Sequence, residues 1–259
     1  MPPDAPLPTS RVRVSFSANG RPFRIEVRAP GGRARLDQLL PALREIDDQL
    51  IEATVARHEA TGKRISCAKG CSACCRVQPV PVTPPEAFAL AQLVDALPEP
   101  RRTAVRSASA AAVERLHEAG LYMVYIRRDP EMTRAAAMAV ARRYATLSLA
   151  CPFLLDDACS IYAERPFVCR QYLVTSAPEL CKAPLDNPVR PIKAPAAFAT
   201  AMLQVAEQLL GPPQYTVPLI LALEYAREHR DTLERTFEAR SAFGQVMEDL
   251  HAGASEVHD

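Results

Sequence analysis

The sequence predicts a mainly α fold with an N-terminal β-hairpin and a small cysteine-rich site built from a hairpin and a knuckle. Three observations lead to this prediction: apolar residues recur at helical spacing, an Asn-Gly pair separates two alternating segments, and seven of the eight cysteines form two groups. The 259 residues are 48% hydrophobic and 24% charged, which suffices for a substantial core. We expect a tail and hairpin over 1–30, a helical cysteine-cluster domain over 31–182, and a helical extension over 183–259 packed on the same core.

The N-terminal hairpin is predicted from Asn19-Gly20, the strongest short signal for a two-residue hairpin turn. The alternating segments Arg11–Ala18 and Arg21–Val27 flank this pair. Counting outward from the turn places Val14 opposite Ile25, so that apolar side chains share one face of the hairpin.

The helices are predicted from apolar periodicity and from cap signals. A long helix should run from about Leu36 to Glu59, and Pro41 should lie near its start or kink it, because proline gives no amide to a helix interior. After an extended run at Val77–Val82, the sequence Thr83-Pro84-Pro85-Glu86 is a capping box that should begin the next helix. The apolar segment Leu121–Ile126 is predicted as a strand or a buried turn. The further helices are predicted over approximately Thr83–Leu97, Glu99–Glu118, Pro130–Leu149, Pro195–Leu210, Pro218–Glu228 and Thr232–His251.

Composition argues against several classes of function. The formal net charge is +1, from 31 basic and 30 acidic side chains, so no global field attracts nucleic acid or anionic lipid. The N-terminus lacks the cationic start and apolar core of a secretory signal, and no apolar stretch is long enough to span a bilayer. We therefore expect a cytoplasmic protein without nucleic-acid or membrane partners, in which disulfides are disfavoured.

The cysteines carry the main functional signal. The first group is Cys67-x3-Cys71-x2-Cys74-Cys75, and the second is Cys151-x7-Cys159-x9-Cys169, followed by Cys181. Soft thiolates at such short spacing are the ligands of zinc and iron–sulfur sites. Because the two groups are 76 positions apart, a shared metal would tie distant segments together and stabilise the fold.

Local turns should bring these ligands together. Lys69-Gly70 supplies a turn inside the first group, and Asp156-Asp157-Ala158 supplies the turn of a hairpin with a cysteine near each open end. Adjacent Cys74 and Cys75 are expected to point apart, so that one of them turns to a second ion, to the core or to a redox role. Three arginines either support the thiolates from outside the ligand set or form ordinary surface ion pairs: Arg76, Arg165 and Arg170.

These motifs resemble the YkgJ-type cysteine-cluster family, which is described as a zinc- or iron-chelating (CxxCxxCC) domain. The resemblance is carried by the first cysteine group, by the capped helix at Glu86, and by Cys151-Pro152-Phe153-Leu154 with Cys159-Ser160-Ile161-Tyr162-x-x-Arg165-Pro166-x-x-Cys169-Arg170-x-Tyr172. It covers roughly Ser66–Tyr172, and the first pair is spaced by three residues instead of the two in the family label. The resemblance implies chelation of a metal and leaves zinc and iron as alternatives.

The sequence leaves the metal and the role open. An all-thiolate set suits zinc and a cuboidal 4Fe–4S cluster alike. Seven clustered cysteines exceed the four ligands of one tetrahedral zinc, which favours the iron–sulfur cluster, with one or two structural zinc ions as the alternative. The x3–x2 spacing is also that of radical S-adenosylmethionine clusters, but the glycine-rich cofactor strands and repeated βα units of that fold are missing.

For the role of the protein, two alternatives remain besides a metalloprotein of unassigned role. One is a group-transfer enzyme, since the resemblance extends to flagellin lysine N-methylases; the other is a thiol redox sensor that uses Cys74-Cys75 or Cys181.

Overall fold

The structure is a computed structural model, and it describes residues 7–18, 21–127 and 129–255. In this part of the chain ten α-helices confirm the mainly α prediction: α1 Leu40–Ala60, α2 Pro84–Asp95, α3 Arg101–Glu118, α4 Tyr122–Arg127, α5 Arg134–Thr146, α6 Phe167–Gln171, α7 Phe198–Leu210, α8 Ala222–Glu228, α9 Arg230–Leu233 and α10 Ala239–Ser255. None of the described helices combines the length and apolar character needed to cross a bilayer.

The described strands form four antiparallel pairs. They are β1 Thr9–Ala18 with β2 Arg21–Pro30, β3 Arg33–Ala34 with β8 Phe237–Glu238, β4 Pro81–Val82 with β7 Val217–Pro218, and β5 Leu154–Leu155 with β6 Ala158–Cys159. The pairing of β1 with β2 has the predicted register, with Val14 opposite Ile25, while the turn Asn19-Gly20 lies outside the described residues. Val14 and Ile25 are both buried and enter the main core.

The predicted starts of two helices are confirmed. A 3-10 turn at Leu36–Leu39 leads into α1, and Pro41 lies in the first turn of that helix, where its missing amide costs no hydrogen bond. Helix α2 begins with the predicted capping box, in which Thr83 and Glu86 satisfy each other's backbone amides.

Three segments differ from the prediction. Leu121–Ile126 is neither strand nor turn, because Tyr122–Arg127 forms the short helix α4. The helix predicted over Thr232–His251 is interrupted: α9 ends at Leu233, and β8 pairs with β3 before α10 begins. The helix predicted from Pro218 starts only at Ala222, because β7 first pairs with β4. In the last two cases a partner distant in sequence fixes the backbone, which helical periodicity alone cannot reveal.

Three apolar clusters organise the molecule. The largest combines the N-terminal hairpin, α1, α7 and α10, so residues from all three predicted parts of the chain share one core. The second joins α2 to the segment of the second cysteine group, through Leu90 and Val94 on the helix and Phe153 and Ile161 on the segment. The third packs α3 against α5 and the 3-10 turn Leu219–Leu221. The second cluster positions the cysteines.

One acidic side chain is buried between α1 and α6. Asp47 has no exposed surface; its Oδ1 accepts a hydrogen bond of 2.8 Å from Gln171 Nε2, and its Oδ2 has no partner among the described residues. Burial raises the pKa of Asp47 from 3.8 to about 7, and the Gln171 hydrogen bond opposes this shift only in part. The folded state therefore binds the Asp47 proton more tightly than the unfolded state does.

We expect this carboxyl group to make the folded state less stable as the pH rises. Between about pH 4 and 7 the wild-type free energy of unfolding should fall by up to about 4 kcal/mol more than that of Asp47→Asn, and the difference should stay constant above pH 7. Urea unfolding at several pH values measures this difference. Glu52→Gln, an exposed change on the same helix, is the control and should follow wild type. Parallel pH profiles for wild type and Asp47→Asn would contradict the argument.

Candidate metal centre

Seven thiols line one cavity of about 100 Å³. They are the cysteines of both sequence groups: Cys67, Cys71, Cys74, Cys75, Cys151, Cys159 and Cys169. The rest of the wall is mostly apolar or aromatic and includes Phe153, Tyr162, Tyr172 and Leu219. All eight cysteines of the chain are free thiols. The fold thus gathers the two groups, which are far apart in sequence, around a common space.

The second group is held by a tight hairpin. Leu154 pairs with Cys159 across β5 and β6, and the two-residue turn consists of Asp156 and Asp157. Both aspartates have positive φ, 48° and 60°, which aspartate tolerates better than most residues and which a two-residue hairpin turn requires. The turn therefore forms without glycine.

The first group is held by two successive turns. Gly70 has a φ of 97°, a conformation that favours glycine, and Cys71 N–H donates to the Ala68 carbonyl at 3.0 Å. A 3-10 turn then spans Cys74–Arg76. Cys74 and Cys75 both line the cavity, and their thiols are hydrogen-bonded to each other. The two side chains thus share one cavity, while Cys75 alone of the two also borders a second, smaller cavity.

Backbone hydrogen bonds join the two groups directly. Cys151 N–H donates to the Cys75 carbonyl at 2.8 Å. Further along, Ser66 N–H donates to the Val174 carbonyl at 2.9 Å, and Val174 N–H donates to the Cys67 sulfur at 3.4 Å. One backbone hydrogen bond therefore joins the two cysteine groups, and two further bonds hold the start of the first group against Val174, which follows α6.

Glu86 links the start of α2 to the start of α6, the helix that carries Cys169. Its side chain is fully buried. Oε2 accepts from Thr83 N–H at 2.8 Å and closes the capping box, and Oε1 accepts from Phe167 N–H at 2.7 Å. The capping box was predicted from sequence, but the contact with Phe167 was not, since nothing local signals a partner 81 residues away.

Burial disfavours the charged form of most of these thiols. It raises the pKa of Cys67, Cys159 and Cys169, and raises that of Cys151 to about 12. For Cys74 the hydrogen bond with Cys75 raises the pKa most, followed by burial. A cation inside the cavity would supply the charge that stabilises thiolates at this depth.

The three arginines lie in different surroundings. Arg165 lines the cavity; its guanidinium lies 3.6 Å from the centre of the Tyr162 ring, and its Nε donates to the Tyr162 carbonyl at 3.1 Å. Arg76 forms an exposed ion pair with Asp157. Arg170 is buried; its Nε donates to the Arg165 carbonyl at 3.0 Å, and its Nη1 is paired with Asp48 of α1. Only Arg165 faces the sulfurs.

The donors fit a thiophilic metal. Among the described residues no group of three or more His, Cys, Asp or Glu side chains already has the arrangement of a single-ion site. The thiols instead surround open space of about 100 Å³, equivalent to roughly three water molecules. Thiolates are the ligands preferred by zinc and by iron–sulfur clusters, so the donor chemistry fits both, and binding must draw the sulfurs inward.

The fold and this cavity define the chain as a mainly α protein with a multi-thiol candidate metal centre. Residues 66–185, somewhat under half of the chain, match the CxxCxxCC family model, described as "Putative zinc- or iron-chelating domain". This part of the chain is therefore similar to that family, in agreement with the resemblance. The match continues past Tyr172 and includes Cys181. Neither the curated proteins nor the solved structures contain a significant match.

We expect removal of the Glu86 carboxylate to destabilise the junction between α2 and α6. Glu86→Ala leaves the buried amides of Thr83 and Phe167 without acceptors and should lower the free energy of unfolding by about 3 kcal/mol. Glu86→Gln keeps one acceptor oxygen and should cost less. Chemical denaturation measures both, with the exposed change Glu114→Ala as the control. If Glu86→Ala were no more destabilising than Glu114→Ala, the linking role of Glu86 would be disproved.

Proposed function

We propose that the protein binds an iron–sulfur cluster, or zinc as the alternative, through the cysteines that line the cavity. The observation that carries this proposal is the convergence of seven thiols, from groups 76 positions apart, on one space. Zinc or iron chelation is also the description of the matched family. Cys67, Cys71, Cys74, Cys75, Cys151, Cys159 and Cys169 are the proposed ligands.

The shape of the site supports a centre of several atoms over a single ion. Four thiolates around one tetrahedral zinc lie about 2.3 Å from the metal, and hence about 4 Å from one another. Here the sulfurs stand around a cavity, and an iron–sulfur cluster fills such a space with iron and inorganic sulfide. The protein contributes the thiolates, a mostly apolar wall and a fixed backbone. The centre would also cross-link distant parts of the chain.

Metal analysis of protein purified without oxygen tests the proposal. We expect stoichiometric iron and sulfide with visible absorption; stoichiometric zinc in a colourless protein would establish the alternative. Cys151→Ser should lower the bound metal, because it removes a ligand from the wall. Ser72→Ala changes the same cavity loop without removing a thiol and should retain wild-type content. Protein that contains neither iron nor zinc would refute the proposal.

Arg165 is proposed to support the thiolates from the wall of the cavity. Among the described lining residues it is the one cationic side chain, and its charge favours the thiolate forms of Cys67, Cys74 and Cys159. Arg170 holds the turn on which Arg165 lies, by donating to its carbonyl. Arg76 is proposed to act more weakly, since its guanidinium is paired with Asp157.

Arg165→Gln should therefore weaken metal retention by roughly 10- to 100-fold, the usual effect of losing a residue that supports a ligand. Competition with a chromophoric chelator measures this change. Arg76→Gln, a change at an exposed arginine beside the first cysteine group, is the matched control and should change retention much less. Equal retention by Arg165→Gln and wild type would remove Arg165 from the site.

A thiol redox switch is the second candidate, favoured by the hydrogen bond between Cys74 and Cys75. In that case peroxide would oxidise the two thiols to a disulfide, with water as the reduced product, and any bound metal would stay in place. The raised pKa of Cys74 disfavours this chemistry, because the thiolate is the form that peroxide attacks. Thiol counting alongside metal analysis after peroxide treatment separates the two candidates.

A further inference from the structure

We infer that the eight cysteines form two neighbouring four-thiolate metal sites, and that Cys181 completes one of them. The outer site consists of Cys67, Cys71, Cys74 and Cys181, and the inner site of Cys75, Cys151, Cys159 and Cys169. The inference deepens the proposed function and rests on it. Four thiolates are the full ligand set of one structural zinc ion or of one cubane cluster.

A second, smaller cavity borders three of the inner thiols, which line the main cavity as well. This smaller space of about 20 Å³ is bordered by Cys75, Cys151 and Cys169, together with apolar side chains such as Leu149 and Ile220. None of the other cysteines borders it. The hydrogen bond from Cys151 N–H to the Cys75 carbonyl fixes two of the three beside each other. The three thiols therefore form a common deep wall.

Cys159 joins this deep wall through its hairpin. It lies on β6, paired with Leu154 on the strand that follows Cys151, and it also lines the main cavity. The charges of Cys151, Cys159 and Cys169 interact with one another, and those of Cys151 and Cys169 interact also with Cys74 at the border between the two sites. The second sequence group thus supplies three ligands of the inner site, and the first group supplies Cys75.

The outer site is defined by Cys74 and by the buried thiol of Cys181. Cys74 lines the main cavity but not the smaller one, so the two adjacent cysteines are divided between the sites. Cys181 is buried in the 3-10 turn Pro178–Lys182, which packs against the 3-10 turn of Cys74. The cysteines with which its charge interacts are Cys67, Cys74 and Cys71, the other three proposed ligands of this site.

The two-site arrangement accounts for the number and placement of the thiols. A single four-thiolate centre would leave four of the eight cysteines without a ligand role, although seven of them line one cavity and the eighth is buried beside it. The loop of the first group can close on an ion through Gly70, whose added freedom lies between Cys67 and Cys71. Binding releases the thiol protons and draws each set of sulfurs together.

Cadmium-113 NMR of the full-length chain, prepared without native metal and loaded with ¹¹³Cd²⁺, tests the inference in the wild-type protein. We expect two bound cadmium ions and two resonances in the range of four-thiolate coordination. One bound ion with one resonance would overturn the two-site inference and leave the proposed function intact. No bound cadmium would also overturn the two-site inference, whereas the proposed function is decided by the iron and zinc content of the native protein.

Variants then test the division of ligands. Cys181→Ser should reduce four-thiolate cadmium from two equivalents to one, and Cys169→Ser should do the same while removing the other resonance. Ser72→Ala is the control and should keep both. If Cys181→Ser retains both four-thiolate resonances, or if both cysteine variants lose the same resonance, the assignment is wrong. Circular dichroism checks that each variant is folded. The number of cadmium ions bound by the wild-type protein tests the two-site inference even if a variant fails to fold.

Discussion

The carboxylate of Glu86 is the interaction on which the arrangement of the centre depends. It is fully buried, and a buried carboxylate is tolerated only where donors surround it. Here the donors come from the cap of α2 and from the first amide of α6, so the two helices start at one common acceptor. Cys169 lies on α6, and the first cysteine group precedes α2. The cap of one helix thereby sets the distance between the halves of the centre.

The cysteines themselves lie on turns and on very short helices and strands. They are carried by turns, by a hairpin with two-residue strands and by a helix of five residues, which have little stability of their own. Their positions are maintained by the apolar cluster that joins Phe153 and Ile161 to α2, against which Cys151, Cys159 and Cys169 pack. The core thus places the ligands, and a bound metal would reinforce a junction that already exists.

Sequence rules predicted what local chemistry decides. The register around Asn19-Gly20, the capping box at Thr83 and the two cysteine groups all follow from residues close together in the chain. The interruption of the last predicted helix by β8 depends on β3, some 200 residues earlier, and is invisible to periodicity. That Cys74 and Cys75 both line the main cavity was not predicted, because their backbone forms a 3-10 turn that no nearby residue signals.

The absence of glycine from the Asp156-Asp157 turn gives the two halves of the cavity unequal stiffness. Aspartate has fewer accessible backbone conformations than glycine, so this hairpin loses less entropy on folding and remains in shape while empty. The opposite knuckle turns at Gly70, which adapts more easily. An arriving ion would therefore meet a stiff hairpin on one side of the cavity and a more adaptable loop on the other. Exchange of metal would proceed by movement of the loop that contains Gly70.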